Sequence, residues 1–238
     1  MTRFDTTRWS MVLQARDGTA QARSALETLC RTYRPPVLAY IRHRGYSAET
    51  AEDLAQTFFV RFLEDEYHAD ADPGRGRFRN FLLTALKRFL IDADEEAHAI
   101  KRGGRIRFHS LDHDEVGSLP PGNLADAETP EHAFERTWAI TLIQAAMKRL
   151  RAEAVRAGRQ ELFEHLSEFL AERPDEAEYA RVAGALNLRR NTLAVTVHRL
   201  RHRLRELIRD ELAQTTANAA ELESEIRDMR SVLGENIA

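Results

Sequence analysis

Apolar residues recur at three- and four-residue spacing along most of the chain, as at Leu54, Phe58 and Phe62 and again at Leu142, Ala146 and Leu150. No stretch alternates with a period of two, so the pattern predicts an all-α protein. Helices are expected over 20–33, 36–44, 48–65 and 77–97, with a loop over 66–76. Pro35-Pro36 is expected to break or kink the first pair, because proline lacks the amide proton of the helical ladder. A second helical block is expected over 130–212. After it, 213–238 reads as an acidic amphipathic helix with Leu222, Ile226, Met229 and Leu233 at helical spacing.

Between the blocks the texture changes. Lys101-Arg102-Gly103-Gly104-Arg105 is followed by Leu119-Pro120-Pro121-Gly122-Asn123, which no regular element tolerates well. From Phe108 to Glu135 there are seven acids and no lysine or arginine. The reading is two small helical domains joined by an acidic linker, the second with a helix-turn-helix. The boundaries are 1–100 for the first domain, 101–132 for the linker, 133–212 for the second domain and 213–238 for a C-terminal extension. A length of 238 residues with 43% apolar content is enough for cores of this size. Lys+Arg 35 against Asp+Glu 38 leaves a net charge of −3, so any charged partner must be met by local clusters. The lone Cys30 excludes an intramolecular disulfide, and no apolar run resembles a leader or a membrane span. A cytoplasmic protein with no membrane partner is expected.

The most informative segment lies between Tyr179 and Leu207. Val182, Ala183 and Leu186 give a short helix an apolar face, and Asn187 suits a left-handed turn residue. Leu193, Val197, Leu200 and Leu204 then form the stripe of a second helix, completing a helix-turn-helix. The remainder of that helix carries Arg189, Arg190, Asn191, Thr192, Ala194, Val195, His198, Arg199, Arg201, His202 and Arg205, the positions a groove-inserted helix presents to bases and phosphates. Eight arginines against one acid between Arg181 and Arg209 suit a salt-sensitive phosphate contact. A solvated basic helix in a plain bundle is the alternative, and it needs neither the turn nor the spacing.

The string Val182-Ala183-x-x-Leu186-Asn187-Leu188-x-x-Asn191-Thr192-Leu193, followed by His198-Arg199-Leu200-Arg201-x-Arg203-Leu204, resembles region 4 of bacterial sigma factors. Leu29-x-x-Thr32-Tyr33-Arg34-Pro35, Ala51-Glu52-Asp53-Leu54-Ala55-Gln56-Thr57-Phe58-Phe59, Phe78-Arg79-x-Phe81-Leu82 and Ile91-Asp92 are similar, in order and spacing, to region 2 of sigma factors of the extracytoplasmic-function (ECF) type. The extension after Glu211 resembles a subgroup with additional C-terminal sequence. This resemblance implies promoter DNA and the RNA polymerase core as partners, with docking on the clamp coiled coil of the largest subunit and the flap of the second. No cofactor, metal or catalytic residue is implied.

On the helix over 48–65, the spacing of Leu54, Phe58 and Phe62 leaves Glu52, Asp53, Gln56 and Thr57 together on a polar side. The resemblance makes these the core polymerase contacts. The family carries Glu where Thr57 stands, so a charge-assisted hydrogen bond to the polymerase is missing. Phosphorylation of Thr57 by a Ser/Thr kinase would supply a dianion there, and a neutral substitution offset by Glu52 and Asp53 is the competing reading. For the downstream promoter element the resemblance points to Arg75, Arg77, Arg79, Lys87 and Arg88. The interleaved Phe78, Phe81 and Phe89 fit core positions better than base-stacking ones. The acidic linker suits either a basic polymerase channel or a soluble connector, and the tail helix suits packing on its own domain, dimerisation or cover over the arginine-rich helix.

A dimeric helix-turn-helix regulator acting without core polymerase would leave the Ala51-Glu52-Asp53-Leu54 block without a purpose. An enzyme would rest on Asp112-His113-Asp114 or His98, and no metal-ligand spacing, phosphate loop or nucleophile motif accompanies them.

Overall fold

The computed structural model describes residues 20–64, 77–103, 128–171, 174–216 and 218–234. Among them there are eight α-helices and no strand, in agreement with the all-α expectation. The helices are α1 (Ala20–His43), α2 (Ala48–Glu64), α3 (Phe78–Gly103), α4 (Pro130–Arg156), α5 (Gln160–Leu166), α6 (Glu176–Ala185), α7 (Arg190–Ala213) and α8 (Ala219–Leu233). A 3-10 turn at Glu168–Leu170 links α5 to α6. The loop expected over 66–76 and most of the linker lie outside the described residues.

The expected break at Pro35-Pro36 is not found: α1 runs through both prolines. The lost ladder bonds are offset by what the continuous helix buries, since Tyr33, Pro36, Val37, Leu38, Tyr40 and Ile41 all lie in the interior. The tail also differs from a single helix over 213–238. It turns first, with the Thr215 and Thr216 hydroxyls donating to the Leu212 carbonyl at the end of α7. Then α8 starts where Asn218 Oδ1 accepts from the Glu221 amide at 3.0 Å.

An aromatic cluster joins the first three helices. Tyr33 packs edge-on against Phe78 at 5.1 Å, and Phe58 meets Phe62 and Phe89 at 5.8 and 5.6 Å. Phe78 and Phe89 are therefore core residues, and Phe81 packs against the same core. Helices on both sides of the segment read as a linker share that core, because Phe134, Trp138, Leu142, Ala146 and Leu150 of α4 belong to it together with Leu207, Ile208 and Leu212 of α7 and Leu222 and Met229 of α8. Helix α4 is apolar on more than one side for this reason: it packs between α1 and the pair α7–α8. Helices α5 and α6, the 3-10 turn and the start of α7 share a smaller core, formed by Leu166, Phe169, Val182, Ala183, Leu193 and Val197.

Replacing Phe58, which is fully buried among aromatics, with alanine is expected to cost about 3–5 kcal/mol. Urea unfolding followed by helical circular dichroism measures it.

Candidate functional site

Helix α6 is started by a reciprocal cap. The Glu178 amide donates to Asp175 Oδ1 at 2.8 Å, and the Asp175 amide donates to Glu178 Oε2 at 2.9 Å. It ends at Asn187, whose φ of 49° is the left-handed turn conformation expected from the sequence. Helix α7 follows with Leu193, Val197 and Leu204 buried. Arg189, Arg190, Asn191, Thr192, Ala194, Val195, His198, Arg199, His202 and Arg205 are all exposed. Arg190 pairs with Glu176 at 2.5 Å across the turn. Arg201 points inward instead, donating from Nε to the Phe169 carbonyl at 2.9 Å, and so braces the 3-10 turn. Two arginines at the positive end of a helix dipole oppose it electrostatically, and a bound anion would relieve that opposition.

On α2, Ala51, Ala55, Phe58 and Phe62 face the core and Asp53, Gln56 and Thr57 are exposed. The Thr57 hydroxyl donates to the Asp53 carbonyl at 2.9 Å. Glu52 is half-buried and already engaged, paired with Arg34 and, at 3.7 Å, with Arg42, both of α1.

The basic face of α3 is also engaged. Arg79 is 3% exposed, its guanidinium 4.1 Å from the Trp138 ring and 3.3 Å from both Glu225 and Asp228 of α8. Arg77, just before α3, pairs with Asp228, donates to the Ser224 hydroxyl and lies 3.7 Å from Glu225. Lys87 meets Glu131 of α4 at 2.7 Å. Arg88 is exposed, and Arg75 lies outside the described residues.

Residues 29–96 match the family model described as sigma-70 region 2. The first helical block is similar to sigma-70 region 2. Comparison with curated proteins and with solved structures gave no match. A region 2 domain supports a sigma-factor family for the chain and indicates a role in RNA polymerase binding and promoter recognition. No helix among the described residues is long and apolar enough to cross a membrane, and no group of three His, Cys, Asp or Glu side chains among them could hold a metal ion.

Within region 2, Val60 of α2 extends the row of Asp53, Gln56 and Thr57 and is 43% exposed. The sequence reading passed over this residue, although the 53-56-57-60 spacing carries it. On α7, Val195 is 49% exposed beside Ala194, an apolar pair on an otherwise polar surface. The acids Asp94 and Glu96 of α3 serve the fold: Tyr46 donates to Asp94 at 2.7 Å, and Arg61 reaches Glu96 at 3.7 Å. What the sequence reading missed most was the engagement of Arg77, Arg79 and Lys87 by acids far along the chain, which no local spacing reveals.

Burial pushes the Glu225 carboxyl above the usual glutamate range, against the pull of Arg79 and Arg77. The folded protein thus keeps a proton where the unfolded chain has lost it. Its stabilising contribution is complete below the usual glutamate value and declines as pH rises through the raised one. Urea midpoints measured across that window are expected to fall less steeply for Glu225→Gln than for the wild type.

Proposed function

We propose that the chain is an ECF-type sigma factor with a C-terminal extension, which joins the RNA polymerase core and directs it to promoters. The observation that carries this reading is a region 2 domain followed in one chain by a helix-turn-helix with an exposed basic face. The exposed row of Asp53, Gln56, Thr57 and Val60 on α2 is the polymerase-docking face, with Glu52 joining it when Arg34 and Arg42 release its carboxylate. Contact there is with the clamp coiled coil of the largest subunit, and the second domain docks on the flap. Arg189, Arg190, Asn191, Thr192, Ala194, Val195, His198, Arg199, His202 and Arg205 read the upstream promoter element. Arg201 supports them through its bond to the 3-10 turn.

Thr57 is the regulatory position of this reading. Its side chain is exposed at the centre of the docking face, within reach of a Ser/Thr kinase. A phosphate there adds close to two negative charges beside Asp53. Arg61, one turn on, now lies over the Phe89 ring and reaches Glu96, and it is the nearest helix neighbour able to hold such a dianion. Phosphorylation then strengthens docking on the basic coiled coil by one charge-assisted contact, roughly tenfold or more in affinity.

In vitro transcription with purified core polymerase on a genomic promoter library tests both parts. Run-off products that require the protein, stronger with Thr57→Glu than with either the unmodified wild type or Thr57→Ala, are expected. Operator binding with no affinity for polymerase core would instead mean a dimeric regulator, and equal activity of all three proteins would remove the phosphorylation step.

A further inference from the structure

The promoter-facing side of region 2 is covered by the protein's own carboxylates. Of the four described basic residues assigned to the downstream element, Arg77 and Arg79 are held by Glu225 and Asp228 of α8, and Lys87 by Glu131 of α4. These acids come from two different helices and meet α3 at both ends of its basic stretch, as the phosphates of a nucleic-acid strand would. We infer that α8 is an intramolecular clasp that occupies the phosphate-binding arginines of region 2 in the free protein and must be displaced before they reach promoter DNA. This inference rests on the sigma-factor reading above and adds a resting state to it.

The polar chemistry of the contact suits a clasp better than a permanent bond. Arg79 Nε and Nη1 and Glu225 Oε2 are buried and make no hydrogen bond among the described residues. A buried ion pair with donors and an acceptor left over retains much of its desolvation cost, so it holds less firmly than its short distances suggest. A phosphate group in solvent can satisfy the same guanidinium through parallel N–H bonds. The apolar part of the seat is modest too: Leu222 and Met229 are buried, and Ile226 and Leu233 pack against the core from its edge. Helix α8 follows α7 after a short turn, so it can leave α3 while the chain stays connected to the helix-turn-helix.

The test uses the full chain and labelled single-stranded DNA of random sequence. Glu225→Lys sets a like charge against Arg77 and Arg79 and is expected to raise the affinity of the free protein roughly tenfold, as for a binding form that is about one-tenth populated in the wild type. Glu161→Lys makes the same charge change on the distant helix α5 and is expected to give little gain. Adding Arg77→Ala to Glu225→Lys is expected to remove most of the increase. Equal gains from both lysine variants, or a gain that survives Arg77→Ala, overturn the clasp. Hydrogen exchange of residues 219–233 provides a second readout that does not depend on the variant folding. Adding core polymerase to the wild type, or to Thr57→Glu where docking needs the charge, is expected to speed exchange in α8. Polymerase binding with α8 still fully protected overturns the clasp and leaves the sigma-factor reading standing, whereas the absence of any polymerase binding overturns both.

Discussion

The contact between Trp138 and Arg79 is the point at which helices far apart in the sequence are brought together. A guanidinium from α3 lies against an indole from α4 and faces two carboxylates from α8, so three helices distant in sequence meet at one side chain. The indole face attracts the cation and removes it from water, and the carboxylates balance the charge that burial would otherwise leave exposed to a low dielectric. Around this node the apolar residues of α4 fill the space between α1 and the α7–α8 pair. The hydrophobic surface supplies the adhesion, and the ionic node determines which helix faces meet.

That division of labour explains why the same surface can serve folding and function. Burying a cation between aromatic and acidic groups contributes little net stability compared with an apolar contact of equal size. It is, however, selective, because a like charge introduced at any of the three positions would be repelled. The basic face of α3 is thus occupied by carboxylates of the protein's own helices, a chemistry that phosphate oxygens share.

Local features were legible in the sequence to the extent that their causes are local. The turn at Asn187, the apolar stripe of α7 and the exposed polar side of α2 follow from spacing within a few helical turns, and the structure has all three. The continuity of α1 through Pro35-Pro36 was not legible, because the propensity of two prolines was outweighed by burial of the residues around them against α2 and α4. Nor was the burial of Arg79. In sequence it stands among basic residues beside a phenylalanine, and its partner Asp228 lies 149 positions away. Val60 had a visible signal, helical register with an exposed polar row, but an apolar side chain on such a row reads as core until the neighbouring helices are known.

Helix α7 belongs to two cores at once. Its first half closes the small core with α5 and α6, and its second half is embedded in the large core with α4 and α8. At 24 residues it is a rod about 36 Å long. A tilt of roughly 10° about its embedded end would carry its far end through about 6 Å. Repacking deep inside the protein is thereby converted into a change of reach at the surface, with a single continuous helix as the lever.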